Sequence, residues 1–218
     1  MERHFDQELA GLKEALLRMA GLAEQSVAQA LKALVQRDDA LAHQVDADDD
    51  RLDQLQIEID DRCVKLIALR QPTATDLRFI MMATKISGDL ERIGDQAVNI
   101  AHRAEELNKE PQLKPLVDIP RMADITRGMI HDALDAFVYA RPEVALEIIK
   151  RDQRVDTLNH QLHRELTSFM IEDPHTITRG LNLMSIAHNL ERIGDHATNI
   201  AEEIVYLYEA RDIRHQHV

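Results

Sequence analysis

Residues 89–101 read Asp-Leu-Glu-Arg-Ile-Gly-Asp-Gln-Ala-Val-Asn-Ile-Ala, and residues 189–201 read Asn-Leu-Glu-Arg-Ile-Gly-Asp-His-Ala-Thr-Asn-Ile-Ala. The two stretches are identical at ten of thirteen positions and lie 100 residues apart. In each, the apolar residues step by three or four (Leu90, Ile93, Ala97, Ile100; Leu190, Ile193, Ala197, Ile200), the period of one buried face of an α-helix. A repeat this long exceeds the roughly 20 to 50 residues of solenoid units, so it marks duplication of a whole folding unit.

Working outward, the first helical stripe extends from Phe79 to Leu107. Two more precede it. One runs through Leu9, Leu12, Leu16, Met19, Ala23, Val27, Ala30 and Leu34, the other through Leu41, Val45, Leu52, Leu55, Ile59, Cys63 and Leu66. The latter ends near Pro72, which cannot continue a helix. Beyond Leu107 come Pro111, Pro115 and Pro120, which mark a linker. The pattern then restarts: Met122 to Ala140, Val144 to Phe169, and a long helix from about Ile177 to Ala210, with Pro142 and Pro174 at the joins. The expectation is an all-α protein of two tandem, duplicated three-helix bundles, residues 1–110 and 121–218, joined by a proline-containing linker at 111–120.

Composition agrees. The 218 residues include no Trp, three Tyr and four Phe, with only seven Gly and six Pro, so the core must be aliphatic and the turns few. The net charge of −13 repels nucleic-acid phosphates and anionic lipid, which argues against direct nucleic-acid binding. The lone Cys63 falls on an apolar stripe and reads as a buried, inert thiol. Charges at the N-terminus and the lack of an apolar run near the ~18 residues of a membrane span point to the cytoplasm, with membranes reached only through partners.

The acidic residues break local rules. Each half carries two carboxylate pairs at i, i+4: Asp49/Asp53 with Glu91/Asp95, and Asp152/Asp156 with Glu191/Asp195. On a helix such like charges stack about 6 Å apart and repel. The second pair in each half also brackets a mid-helix glycine, Gly94 or Gly194, which costs about 1 kcal/mol relative to alanine. If the second and third helices of each half form an antiparallel hairpin, the pairs are equidistant from its turn, at Pro72 or at Asp173-Pro174. In each half the two pairs then lie at one level, about 30 Å from the turn at 1.5 Å rise per residue. Four carboxylates at a helix margin demand protons or cations, and hard oxygen donors suit magnesium, calcium or manganese, or iron and zinc with bridging. Asn99 and Asn199 continue the ladder as ligands or supporting donors, and His102, His188 and His196 lie close enough to add imidazole.

Leu90-Glu-Arg-Ile-Gly-Asp95 and Leu190-Glu-Arg-Ile-Gly-Asp195 resemble the PhoU family of phosphate-signalling regulators. So do Arg70-Gln-Pro-Thr-Ala-Thr-Asp-Leu-Arg78, the opening Phe5-Asp-Gln-Glu-Leu9 and the closing Arg211-Asp-Ile-Arg-His215. The resemblance implies metal ions on the acidic motifs, including multinuclear iron or zinc clusters. It implies contacts with the ATPase subunit of the high-affinity phosphate ABC importer and with its membrane sensor histidine kinase. Phosphate-starvation genes would thereby stay off in plenty. The copies differ: Asp89 becomes Asn189 and Gln96 becomes His196, so metal identity can differ between halves.

The competing reading is a carboxylate-bridged metal enzyme, an oxidase or a phosphohydrolase. Ferritin-like oxidases need Glu-x-x-His on inward-facing helices. The instance here, Glu172-Asp-Pro-His175, is broken by Pro174, and no nucleophile or general base stands out for hydrolysis. Nucleotide-binding glycine loops, CxxC pairs and GxSxG elbows are missing. The reading is therefore a non-catalytic regulator, whose long amphipathic helices are compatible with a homodimer.

Overall fold

A computed structural model describes residues 2–213. Residue 1 and residues 214–218, and with them Arg214 and His215 of the closing motif, lie outside the described residues. Among the described residues there are six α-helices, one 3-10 turn and no strand. The helices are α1 (Glu2–Gln36), α2 (Asp39–Arg70), α3 (Ala74–Asn108), α4 (Asp118–Tyr139), α5 (Pro142–Glu172) and α6 (Ile177–Glu209). None is long and apolar enough to cross a membrane.

The chain writes its own stops. Asp38 caps α2, its side chain accepting from the Ala40 backbone N–H. Gln71 ends α2 in the left-handed conformation at φ 47°, and Pro72 follows. Ala140 does the same after α4 at φ 53°, and Pro142 then starts α5, where its missing N–H is not needed. Residues 109–117 join the halves. Pro111 and Pro115 lie in that connection, whereas Pro120 sits in the first turn of α4, where the backbone N–H groups have no partner within the helix. Arg37 holds the end of α3 in place by donating to the carbonyls of Asn108 and Glu110, each at 2.6 Å.

Each half is a three-helix bundle. Leu16, Met19 and Val27 of α1 meet Val45, Leu52 and Ile59 of α2 and Ile86, Leu90 and Ile93 of α3, all within 2% of full burial. Cys63 is buried, as its stripe requires. One stripe position breaks the pattern: Asp48, between Val45 and Leu52, is 1% exposed. Arg51 holds it at 2.8 Å, which makes a buried charge tolerable.

The halves share a continuous core through α3 and α6. As the α3 position rises from Arg78 through Lys85 to Asp89, its α6 partner falls from Leu207 through Glu203 to Asn199. The helices are thus antiparallel, and the internal twofold relating the two copies passes near Ile93 and Ile193. Phe79 stacks on Phe137 with ring centroids 5.8 Å apart, and Tyr208 donates to the Phe137 carbonyl at 2.7 Å. The two repeated acidic segments therefore fall at the centre of the crossing.

Candidate functional site

Gly94 and Gly194 leave no room for a side chain between the helices of their hairpins. A Cβ at Gly94 would lie 2.5 Å from Leu52 Cδ1 and 3.0 Å from Asp49 Oδ1, and one at Gly194 would lie 2.7 Å from Asp152 Oδ1. The glycines thus let the carboxylates of α2 and α5 lie against the backbones of α3 and α6. Those two oxygens, Asp49 Oδ1 and Asp152 Oδ1, are buried and have no hydrogen-bond partner. An orphaned buried acceptor costs roughly 1–3 kcal/mol, more when charged.

Electrostatics tie all eight carboxylates into their two groups. Burial, reinforced by Asp53, Asp95, Glu91 and Asp50, pushes Asp49 up to about 6. Burial, then Asp156, Asp195 and Glu191, push Asp152 up to about 7. Glu91 is raised by burial and by Asp95 and Asp53, with Arg92 opposing. Asp156 is raised by burial and Glu191, and Asp195 by burial, Glu191 and Asp156. Asp49 and Gly94, and Asp152 and Gly194, meet across their hairpins at matching heights. Each group has one open side, since Asp53 and Asp195 are exposed.

The positive charge present is modest. Arg92 donates to Asp95 at 2.7 Å but is itself 59% exposed, and His188 pairs with Glu191 at 2.9 Å. Among the described residues no three His, Cys, Asp or Glu side chains stand close enough to grip one ion as placed. The donor set nonetheless fits a hard cation: each half offers four carboxylates, one oxygen orphaned in a glycine-floored cradle, and room on the open side. Asp49, Asp53, Glu91 and Asp95 would hold it in the first half, and Asp152, Asp156, Glu191 and Asp195 in the second.

Two of the candidate supporting residues reach out of their own half. His196 Nδ1 stands 2.9 Å from Asp89 Oδ1, and Asn199 Nδ2 donates to the same oxygen at 3.2 Å. Both cross the seam to the other half. The antiparallel α3–α6 crossing, invisible in the spacing, is the reason. Asn99 is exposed, and His102 pairs with Asp46 at 3.1 Å. Beside Asp89 lies a cavity of about 470 Å³ that Glu91, Lys85 and Asn199 also line. Sequence reasoning noted Asp89 only for its change to Asn189; its role across the seam carries no local signal.

Two antiparallel hairpins, each with four carboxylates at one level and fused across an internal twofold, define a tandem-repeat helical protein with twin acidic sites. The PhoU domain model matches the chain twice, at residues 16–104 and 119–204. The chain belongs to the PhoU family. It is similar to the phosphate-specific transport system accessory protein PhoU homolog of Pseudomonas putida, 41% identical over 99% of this chain and 84% of that protein. The crystal structure of PhoU from Pseudomonas aeruginosa superposes with a TM-score of 0.92 at 41% identity, covering 95% of this chain and all of that one. That of the phosphate transport system regulatory protein PhoU from Streptococcus pneumoniae gives 0.89 at 31% identity, covering 95% and 98%.

Proposed function

We propose that this chain is a cytoplasmic, non-catalytic negative regulator of the phosphate-starvation response. It would link the ATPase subunit of a phosphate ABC importer to a sensor histidine kinase through cation-loaded acidic faces. Support for the phosphate connection comes from relatives whose names make them accessory or regulatory proteins of phosphate transport. Support for the cations comes from one observation made twice: a buried, partnerless carboxylate oxygen lies over a glycine at the heart of each acidic cluster. The candidate ions are iron, zinc, manganese or magnesium. Bound there, such an ion supplies positive charge that relieves the repulsion and turns an anionic helix margin into one that accepts an anionic or polar partner face.

The experiment is a pull-down of the two partners by metal-loaded and metal-stripped protein, with elemental analysis of each sample. Loaded protein is expected to retain both partners, and Asp95→Ala to lose them with its helices intact. Equal retention by stripped protein would remove the cations from the role.

A further inference from the structure

Among the described residues α2 packs against α1 and α3 and no other helix, so the furrow between α1 and α2 runs open along the molecule. Two hollows lie end to end in it. One, of about 580 Å³, is lined by Arg18 and Arg51, and the other, of about 300 Å³, by Arg62, Lys65 and Arg70. The acids lining them are Glu58 and Glu8, and both are engaged. Arg62 holds Glu58 at 2.5 Å with Arg18 at 3.7 Å, and Arg70 grips Glu8 through two bonds of 2.8 Å. Counting also Asp48, buried under Arg51, and Asp61, beside Lys65, cations still lead acids by five to four. The whole chain has 39 acidic against 26 basic side chains, so this furrow is a local reversal of its field. Gly21 fronts the larger hollow, and a Cβ there would meet nothing within 4 Å. No packing requirement explains a residue that weakens a helix interior, whereas its bareness lets another backbone come close.

We propose that the α1–α2 furrow docks an acidic amphipathic helix of a partner protein, its carboxylates on Arg18 and Arg51 and its apolar stripe on Leu66 and Leu69. The dimensions favour a helix over a small anion. From Arg51 to Arg70 the basic edge of α2 spans about 28 Å at 1.5 Å rise per residue. Counted from the turn at Arg37 and Asp38, Arg18 and Arg51 stand about six residues apart in height, or about 9 Å. Glu58 draws one guanidinium and Asp48 the other, so the two are held apart. Carboxylates seven residues apart on a helix rise by about 10.5 Å and match them. Leu69, 72% exposed, offers the apolar contact, and the newcomer would add a fourth helix to a three-helix bundle. The arginine pair recurs 103 residues on as the exposed Arg121 and Arg154, but there Asp124 stands in place of Gly21, which singles out the first furrow. None of this depends on cations at the acidic clusters.

The test places a photo-crosslinking residue at the exposed Gln54 of the larger hollow in full-length protein in its native cells, and maps the attached segment by mass spectrometry. That segment, as a synthetic peptide, is then titrated by fluorescence anisotropy. It is expected to carry Asp or Glu at seven-residue spacing and to become helical on binding. Arg18→Glu and Gly21→Leu should each weaken it at least about tenfold, the first by like-charge repulsion and the second by filling the furrow. Arg18 is 62% exposed and Gly21 faces open space, so neither variant should lower the urea midpoint. Arg51 is left in place because Asp48 needs it. Replacing the peptide's facing acids by lysine should restore binding to Arg18→Glu. No protein adduct, an adduct to a second copy of this chain, a segment without paired acids, or unchanged affinity in both variants would each overturn the proposal. So would displacement of the peptide by inorganic phosphate at matched ionic strength, which would assign the furrow to small anions.

Discussion

Without cations the protein is expected to be more stable at pH 5 than at pH 8, and Asp152 is the residue to ask. Its carboxyl is pushed from 3.8 up to about 7 by burial and by Asp156, Asp195 and Glu191. A carboxyl raised in the folded state favours folding while it is protonated, and that contribution disappears as pH rises through the folded value. The window is thus roughly pH 4 to 7. At 1.36 kcal/mol per pKa unit the full span is worth at most about 4 kcal/mol. Water reaching the exposed Asp195 screens part of it, leaving on the order of 2 kcal/mol. Urea unfolding of EDTA-treated protein measures this directly. Asp152→Asn, which removes the charge but keeps the shape, should recover on the order of 2 kcal/mol at pH 8 and little at pH 5. Saturating manganese should reduce the pH difference in the unmodified protein by neutralising the same charges. Equal effects of Asp152→Asn at both pH values would refute the claim that the crowded carboxylates carry the strain.

The glycines should separate stability from ion binding. Gly194→Ala meets the end of a movable carboxylate, so stability is expected to hold or rise by up to about 1 kcal/mol from helix propensity. Cation affinity of the second half should nevertheless fall, read by calorimetric titration. Gly94→Ala meets Leu52 Cδ1 at 2.5 Å in a fully buried side chain, so overpacking of about 1–3 kcal/mol should win, visible as a lower urea midpoint. Ile93→Ala, at the internal twofold, should cost about 2–4 kcal/mol in the same assay with the helical circular dichroism retained at low denaturant.

Helices are legible in this sequence because an aliphatic stripe every three or four residues is a local property. The tandem arrangement is legible because Leu90–Asp95 repeats as Leu190–Asp195. Even the meeting of Asp49 with Gly94 follows from counting residues back to Pro72. Contacts that depend on which stripe chooses which partner were not legible. Nothing between Asp89 and His196, 107 residues apart, announces that they touch. Their pairing requires α3 and α6 to cross antiparallel, and no local pattern in either helix records that choice. Asp48 escaped notice for the opposite reason. It occupies a core position of a clear apolar stripe, and only the reach of Arg51 from the next turn makes that tolerable.

The connection at residues 109–117 turns what would be a pair of like subunits into one continuous chain. In an assembly of two separate identical molecules, any residue placed on one side of the symmetry axis is duplicated on the other. Tethering lifts that restriction. Selection could then install an acid and an imidazole along one flank of the junction while leaving Asn189 and Gln96 along the opposite flank. Covalent fusion gave a twofold architecture the freedom to specialise its two ends.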